Sequence, residues 1–179
     1  MPALASWQNF YVLVGSAAGA LIGLQFIVLA LLVSLDGIRR SPEFGTIFAA
    51  PNIVHFASVL LFAASAVIPW PSARWFFVID GLLACGGVVY TLGILRGLWR
   101  LTVYRPQMED MVFHAWLPLA AYALPVAAVL LQELPAVGLS ASGSQYPVAF
   151  FCLAASEIIL LLTGIHNAWD NVAFHAFRE

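Results

Sequence analysis

The chain has 179 residues, of which 63% are hydrophobic and 9% are charged, whereas soluble domains have about 45–50% and about 25%. This composition excludes a water-soluble surface and indicates an integral membrane protein. Lysine is absent and the net charge is −2, which excludes lysine Schiff-base chemistry, a P-loop lysine and a basic surface for nucleic acid.

Five apolar segments are each long enough to cross the hydrocarbon core of a bilayer, which takes about 20 helical residues. We therefore predict an all-α fold, a polytopic bundle of five transmembrane helices that forms a single domain over residues 1–179. The short connections predict antiparallel neighbouring helices. The predicted spans are 10–35, 47–68, 75–98, 115–134 and 147–169.

The arginines predict the orientation of the bundle. Six of the seven follow the first, third or fifth span and so lie on one side of the membrane. Because cytoplasmic loops carry an excess of basic residues, we expect the N-terminus outside and the C-terminus in the cytoplasm. The lack of lysine beside frequent alanine and arginine is typical of a GC-rich bacterial genome, so we predict the bacterial cytoplasmic (inner) membrane.

A glycine stripe in the first span predicts close helix packing. Gly15, Gly19 and Gly23 are spaced four apart and lie on one helix face, where they allow another backbone to approach. The spacing fits a contact with a neighbouring helix of the bundle, which we favour, and it also fits a homo-oligomer.

Two further spans contain residues that disturb a regular helix. Gly86 and Gly87 in the third span favour a bend or a bulky neighbour. Pro118 and Pro125 predict a kinked fourth span. Carbonyl groups freed by a kink at membrane depth need a partner in the protein or in a polar cavity.

Glu157 is the strongest candidate for a functional residue, because it falls near the middle of the fifth span. A charged group at that depth costs about 2.5–3.5 kcal/mol on insertion scales. A protonatable carboxyl there suits a proton relay or an ion-coupling site. The other candidates for a pore or proton relay are polar residues of the first, second and fifth spans, namely Gln25, Asn52, His55 and Asn167.

Two more pairs of ionisable residues lie near span ends. His166 and Asp170 are four residues apart, so we expect the carboxylate to contact one imidazole nitrogen and to fix the tautomer of the ring. Asp80 falls near the outer interface, where we expect it to reach the headgroups or to pair with Arg74.

A small channel or transporter, with Glu157 at its centre and with the glycine stripe for assembly, is the leading functional hypothesis. An enzyme is disfavoured because HExxH, GxSxG and a Ser-Lys dyad are missing, and no metal-binding motif is found. One alternative is a haem-binding or pigment-binding redox subunit, with His55 and His166 as axial ligands and Arg96 or Arg100 at an anion such as a propionate. The other is a non-catalytic assembly or regulatory subunit that binds a membrane partner.

Overall fold

The computed structural model of the protein describes residues 2–34, 50–100, 107–133 and 146–177. In these ranges it is helical, with five helices long and apolar enough to cross a membrane. This confirms the all-helical class and the five candidate spans for the described part of the chain. The predictions that rest on four arginines of the connections and the C-terminus lie outside the described residues: Arg39, Arg40, Arg105 and Arg178.

Seven α-helices and one π-helical turn make up the described chain. They are α1 (Pro2–Ala5), α2 (Gln8–Ser34), α3 (Ala50–Val67), α4 (Ala73–Arg100), α5 (Met108–Met111), the π-turn (Val112–Trp116), α6 (Leu117–Glu133) and α7 (Tyr146–Phe177).

The fourth and fifth spans are longer helices than the sequence predicts. The fourth begins at Met108, ahead of the predicted start, and α7 continues to Phe177. The predicted spans end where polar residues lower the hydropathy, whereas the backbone hydrogen bonds of the helices continue through those residues. At the start of α5, the Asp110 carboxylate accepts a hydrogen bond from the Gln107 N–H at 2.8 Å. A carboxylate in the first turn satisfies a free N–H and interacts favourably with the helix dipole.

Four of the long helices form a ring, and the first stands outside it. α3, α4, α6 and α7 contact one another in chain order, and α7 closes the ring on α3. α2 packs along α3 and touches α7 less extensively. Only 22% of the apolar span of α2 is buried, against 50% for α3 and for α7, so α2 is the peripheral helix. We call the end where α2 begins the Trp7 end, and the end where α4 finishes the Arg100 end.

The glycine stripe of α2 is divided between two environments. A Cβ on Gly15 would lie 2.8 Å from the Cβ of Ala63 on α3, so this glycine allows the two helices to approach. A Cβ on Gly19 or on Gly23 would meet no atom within 4 Å. The predicted contact inside the bundle is therefore made by Gly15 alone, and the other two glycines are open.

The paired glycines of α4 also differ from each other. A Cβ on Gly87 would overlap the ring of Tyr122 on α6, whereas one on Gly86 would meet no atom within 4 Å. The bulky neighbour predicted for this pair is therefore Tyr122, whose ring is fully buried.

The fourth span is irregular where Pro118 follows the π-turn. The N–H of Leu117 donates to the carbonyl of Val112, five residues back. In a regular α-helix this N–H would donate to the carbonyl of Phe113, which therefore loses its usual donor. Pro118 has no N–H to offer. The Phe113 carbonyl instead accepts a hydrogen bond from Asn167 Nδ2 on α7 at 3.1 Å, so another helix supplies the partner that the freed carbonyl needs.

Candidate functional site

The interior of the bundle contains many polar side chains, although its surface is apolar. Burying a polar group is costly unless it finds a hydrogen-bond partner, so each of these residues calls for a structural or functional explanation. The buried polar residues of the described part are Gln25, Asn52, His55, Ser65, Asp80, Thr91, His114, Ser156, Glu157, Thr163, Asn167 and Asn171.

Glu157 lies in the interior of the bundle, with a side chain that is fully buried. Neither of its carboxyl oxygens has a hydrogen-bond partner within the ranges described. Its position on α7 is 11 residues from Tyr146, which at about 1.5 Å per residue is roughly 16 Å along the helix. The carboxyl is therefore far from both ends of the span, and it faces neighbouring helices and not lipid.

Asp80 is a second buried carboxyl, and the expectation that its side chain reaches the headgroups is wrong. It is 1% exposed, and it accepts a hydrogen bond from Ser65 Oγ on α3 at 2.5 Å. Asp80 follows Phe76 and Phe77, both fully buried, by four and three residues, so all three share the inward face of α4. Depth alone misled the prediction, because it ignored this helical face.

Tyr11 completes a group that we call the carboxyl cluster, namely Tyr11, Ser65, Asp80 and Glu157. Its side chain is 1% exposed, although α2 is peripheral, and its hydroxyl has no hydrogen-bond partner in the described chain. The hydroxyl lies within electrostatic range of both carboxyls, which also interact with each other. A tyrosine close to a span end resembles an interfacial anchor, which is why the sequence did not single it out.

A second group, which we call the histidine cluster, consists of His55, Ser58, His114 and Tyr122. The Tyr122 hydroxyl donates to Ser58 Oγ at 2.9 Å, and Ser58 donates to the carbonyl of Val54 at 2.8 Å. Since the only hydroxyl hydrogen of Tyr122 is used in this way, the 3.0 Å contact with His55 Nδ1 requires His55 to donate. The hydrogen-bond network thus assigns the proton to Nδ1 and leaves Nε2 as the acceptor nitrogen.

The π-turn places His114 inside the bundle. This histidine is 3% exposed, although the predicted fourth span begins only after it, at residue 115. It lies within electrostatic range of both His55 and His166. A π-turn shifts the register of the residues that follow it, and hydropathy gives no signal of that shift.

His166 and Asp170 are both on α7, but they do not form the predicted pair. The imidazole of His166 stacks on the ring of Phe113, with centroids 3.6 Å apart, and its Nε2 lies 3.4 Å from Glu109 Oε1. The stacking turns the imidazole toward the fourth span and so toward a carboxylate of α5. The exposed Asp170 instead lies within electrostatic range of His114.

The remaining predicted pore residues are buried but do not form one cluster with Glu157. Gln25 is 5% exposed and lines an apolar groove of about 240 Å³ between α2, α3 and α7. Asn167 is used by the Phe113 carbonyl, as described above. Asn52 is fully buried, and its amide has no hydrogen-bond partner among the residues described.

An apolar layer separates the carboxyl cluster from the histidine cluster. α3 and α7 run antiparallel, and Phe56 of α3 contacts Gly164 of α7. Ala63 is seven residues after Phe56 and Glu157 is seven residues before Gly164, so these two residues lie at the same height in the bundle. The eight residues from His55 to Ala63 correspond to about 12 Å. The layer in between is formed by buried side chains of α2, α3, α4, α6 and α7, namely Val14, Ala18, Val59, Phe62, Ala84, Ala121 and Leu160.

The residues proposed for haem binding lie next to a tight helix contact. A Cβ on Gly164 would overlap the ring of Phe56, so α3 and α7 approach closely one residue from His55 and two residues from His166. Arg96 and Arg100 are exposed on α4. The described ranges contain no group of three or more His, Cys, Asp or Glu residues placed to hold a metal ion.

Comparison with protein-family models, curated proteins and solved structures gives no match to this chain.

Proposed function

We propose that the protein is a small membrane channel or transporter that moves protons through the interior of its helical bundle. The observation that carries the proposal is Glu157, a fully buried carboxyl whose oxygens have no hydrogen-bond partner in the described structure. A structural carboxyl inside a membrane bundle is expected to be hydrogen-bonded or paired. An unsatisfied one is better explained by a proton or ion that it binds and releases.

Asp80 strengthens this argument. Asp80 lies within electrostatic range of Glu157, so a negative charge on one carboxyl disfavours a negative charge on the other. The three arginines in the described ranges, Arg74, Arg96 and Arg100, are all exposed, whereas both carboxyl side chains are buried. The carboxyl cluster is thus a site whose charge changes with each proton.

The apolar layer between the two clusters supports a channel or transporter that is closed at rest. Hydrophobic constrictions gate pores by excluding water. Phe62 and Leu160 fill the space between Glu157 and the histidine cluster, so protons pass only when water enters this layer. The orientation with the Arg100 end toward the cytoplasm is part of the proposal and rests on the distribution of arginines.

Haem binding is the less well supported alternative. α3 and α7 are held close together beside His55 and His166 by the contact of Phe56 with Gly164, which leaves little room for a macrocycle, and His166 is already engaged by Phe113 and Glu109. A Soret band after supplementation of the purified protein with haem would favour this alternative over proton transfer.

The test is proton flux into lipid vesicles that contain the purified protein, followed with an internal pH dye under an imposed potential. We expect Glu157→Gln to reduce the flux on the order of a hundredfold, the lower range for loss of a proton-transfer group. The matched control is Glu109→Gln, which makes the same change at a side chain that is 67% exposed. Unchanged flux in Glu157→Gln, with protons, Na⁺ and K⁺ each tested, would contradict the role of this carboxyl.

A further inference from the structure

A groove lies between α2, α3 and α7 in the half of the bundle toward the Arg100 end. At the Trp7 end the first and last spans are joined by aromatic rings, since Trp7, directly before α2, stacks on Phe150 of α7 with centroids 6.0 Å apart. Further along, Ala18 of α2 and Leu160 of α7 belong to the apolar layer. Beyond this layer, the space between the three helices is the groove of about 240 Å³.

Gln25 places a buried polar group inside this groove. The side chain lines the groove and is 5% exposed. Three other lining residues, Leu24, Ile165 and Trp169, are exposed on the outer surface of the bundle. Gln25 therefore lies behind a rim that faces the bilayer, at a position that a molecule dissolved in the bilayer can reach.

The amide of Gln25 is surrounded by side chains that cannot satisfy it. Apart from the indole of Trp169, the other described residues that line the groove are apolar, and none of them is charged. A primary amide has two N–H donors and an oxygen that accepts two hydrogen bonds, and burying it without partners is costly. The hydrocarbon of a lipid offers no such partner. The groove therefore suits a neutral lipophilic molecule that brings a carbonyl or hydroxyl group to Gln25.

The size and the aromatic lining of the groove favour a single ring. Sites for drug-sized ligands have about 300–1,000 Å³, so this groove takes one ring while the rest of a larger molecule stays in the bilayer. Phe56 of α3 and Trp169 of α7 both contribute rings to the lining, and aromatic side chains pack well against another flat ring. An anionic headgroup would meet no cation among the described lining residues, and an acyl chain would leave the amide without a partner.

We propose that the groove binds a lipid-soluble quinone, whose ring enters the groove and whose carbonyl oxygen accepts a hydrogen bond from the Gln25 amide. The same side chain can hold the corresponding quinol, because its hydroxyl donates to the amide oxygen. The groove lies on the other side of the apolar layer from Glu157, so the inference goes beyond the proposed function and does not depend on it.

The first test is a titration of the purified protein in phosphatidylcholine nanodiscs with a short-tailed benzoquinone, which quenches the fluorescence of a tryptophan that it contacts. We expect saturable quenching, and we expect Trp169→Phe to remove most of the saturable part. Trp99→Phe on α4 is the matched control, because Trp99 and Trp169 are each 68% exposed and only Trp169 lines the groove. Quenching that does not saturate, or that falls equally in both variants, would overturn the proposal.

The second test measures the contribution of the amide. Gln25→Leu keeps a side chain of similar size in an apolar setting, and we expect it to raise the Kd for the quinone by about threefold to tenfold, the effect of losing one hydrogen bond. Gln8→Leu makes the same change at an exposed position of α2, at the Trp7 end, and should leave the Kd unchanged. Equal Kd values in the wild type and in Gln25→Leu would overturn the proposal.

Competition and labelling of the wild type distinguish a quinone from other occupants. We expect neither an alkane nor a fatty acid with a tail of the same length to displace the quinone, and displacement by either one would overturn the assignment. A photoreactive benzoquinone should label residues 21–28 and 165–172. Labelling spread evenly over the lipid-facing surfaces of α4 and α6 would show partition into lipid and would overturn the site.

Glu157→Gln separates this inference from the proposed function. We expect this variant to bind the quinone with the wild-type Kd, whatever its effect on proton flux. Normal flux in Glu157→Gln, together with saturable quenching at Trp169, would reject the role of the carboxyl and keep the quinone site. Lost flux in Glu157→Gln with no saturable quenching in the wild type would do the reverse.

Discussion

Asn167 on α7 donates a hydrogen bond of 3.1 Å to the backbone carbonyl of Phe113 in the π-turn. This contact joins the two helices at the point where the π-turn and Pro118 leave that carbonyl without an intrahelical donor. The same segment carries the ring of Phe113 on which His166 stacks, and it places His114 in the interior. The irregular segment of the fourth span is therefore held against α7 by a hydrogen bond and by ring stacking.

Asn167→Leu should destabilise the protein by about 1–3 kcal/mol, because the buried Phe113 carbonyl is left without a partner. Pro118→Ala restores an N–H to the helix, and the carbonyl then has another donor. We therefore expect Asn167→Leu to cost less in the Pro118→Ala background. Unfolding in mixed micelles, measured for both single variants and the double variant, gives the coupling between them. Strictly additive effects would contradict the assignment of the freed carbonyl to Asn167.

Gly87→Ala should destabilise the bundle by about 1–3 kcal/mol, the usual cost of overpacking a core. The new Cβ overlaps the ring of Tyr122, which must shift away from His55 and Ser58. The control is Gly86→Ala at the adjacent position, where the Cβ meets open space. Because alanine is a better helix former than glycine, that change should be neutral or stabilising by up to about 1 kcal/mol. Equal effects of the two substitutions in thermal unfolding would be inconsistent with this packing.

Ser65→Ala should lower the free energy of unfolding, because it removes a hydrogen bond to Asp80. The substitution removes the hydroxyl that donates to the Asp80 carboxyl group at 2.5 Å, and a typical hydrogen bond contributes about 0.5–1.5 kcal/mol. Asp80→Leu replaces the carboxyl group by an apolar side chain that accepts no hydrogen bond, so Ser65→Ala should cost less in that background. Denaturant unfolding of the four proteins of this cycle measures the difference. A coupling near zero would show that the serine acts independently of Asp80.

Much of the fold could be predicted from the sequence, because it follows from hydropathy and spacing. Five apolar segments predicted five long helices. Gly86 and Gly87 predicted a bend or a bulky neighbour, and the structure places Tyr122 against Gly87 only. The sequence also predicted that a carbonyl group freed in the fourth span would need a partner, and Asn167 donates a hydrogen bond to that carbonyl. Each of these inferences depends on properties local to one segment.

The composition of the site could be predicted only in part, because it depends on which residues of different helices meet. Glu157 and His55 were singled out by depth, and both are buried. Asp80 was misassigned, and Tyr11 and His114 were missed, since a position near a span end resembles an interfacial one in a linear scan. Helical periodicity would have identified Asp80 from Phe76 and Phe77, but the π-turn that buries His114 leaves no periodic signal.

Substitutions along the glycine stripe should distinguish packing within the protein from association between copies. Gly15→Val should destabilise the bundle by about 1–3 kcal/mol, because even a Cβ at this position would lie 2.8 Å from Ala63. The Cβ of Gly19→Val or of Gly23→Val meets no atom within 4 Å, so we expect both variants to leave the unfolding of a monomer unchanged. If copies associate through the open part of the stripe, these two variants instead lower the fraction of oligomer in bilayers while Gly15→Val lowers stability.

Chemical cross-linking in vesicles and thermal unfolding in detergent, applied to all three variants, measure the two effects separately. Loss of stability in Gly23→Val comparable to that in Gly15→Val would contradict the division of the stripe.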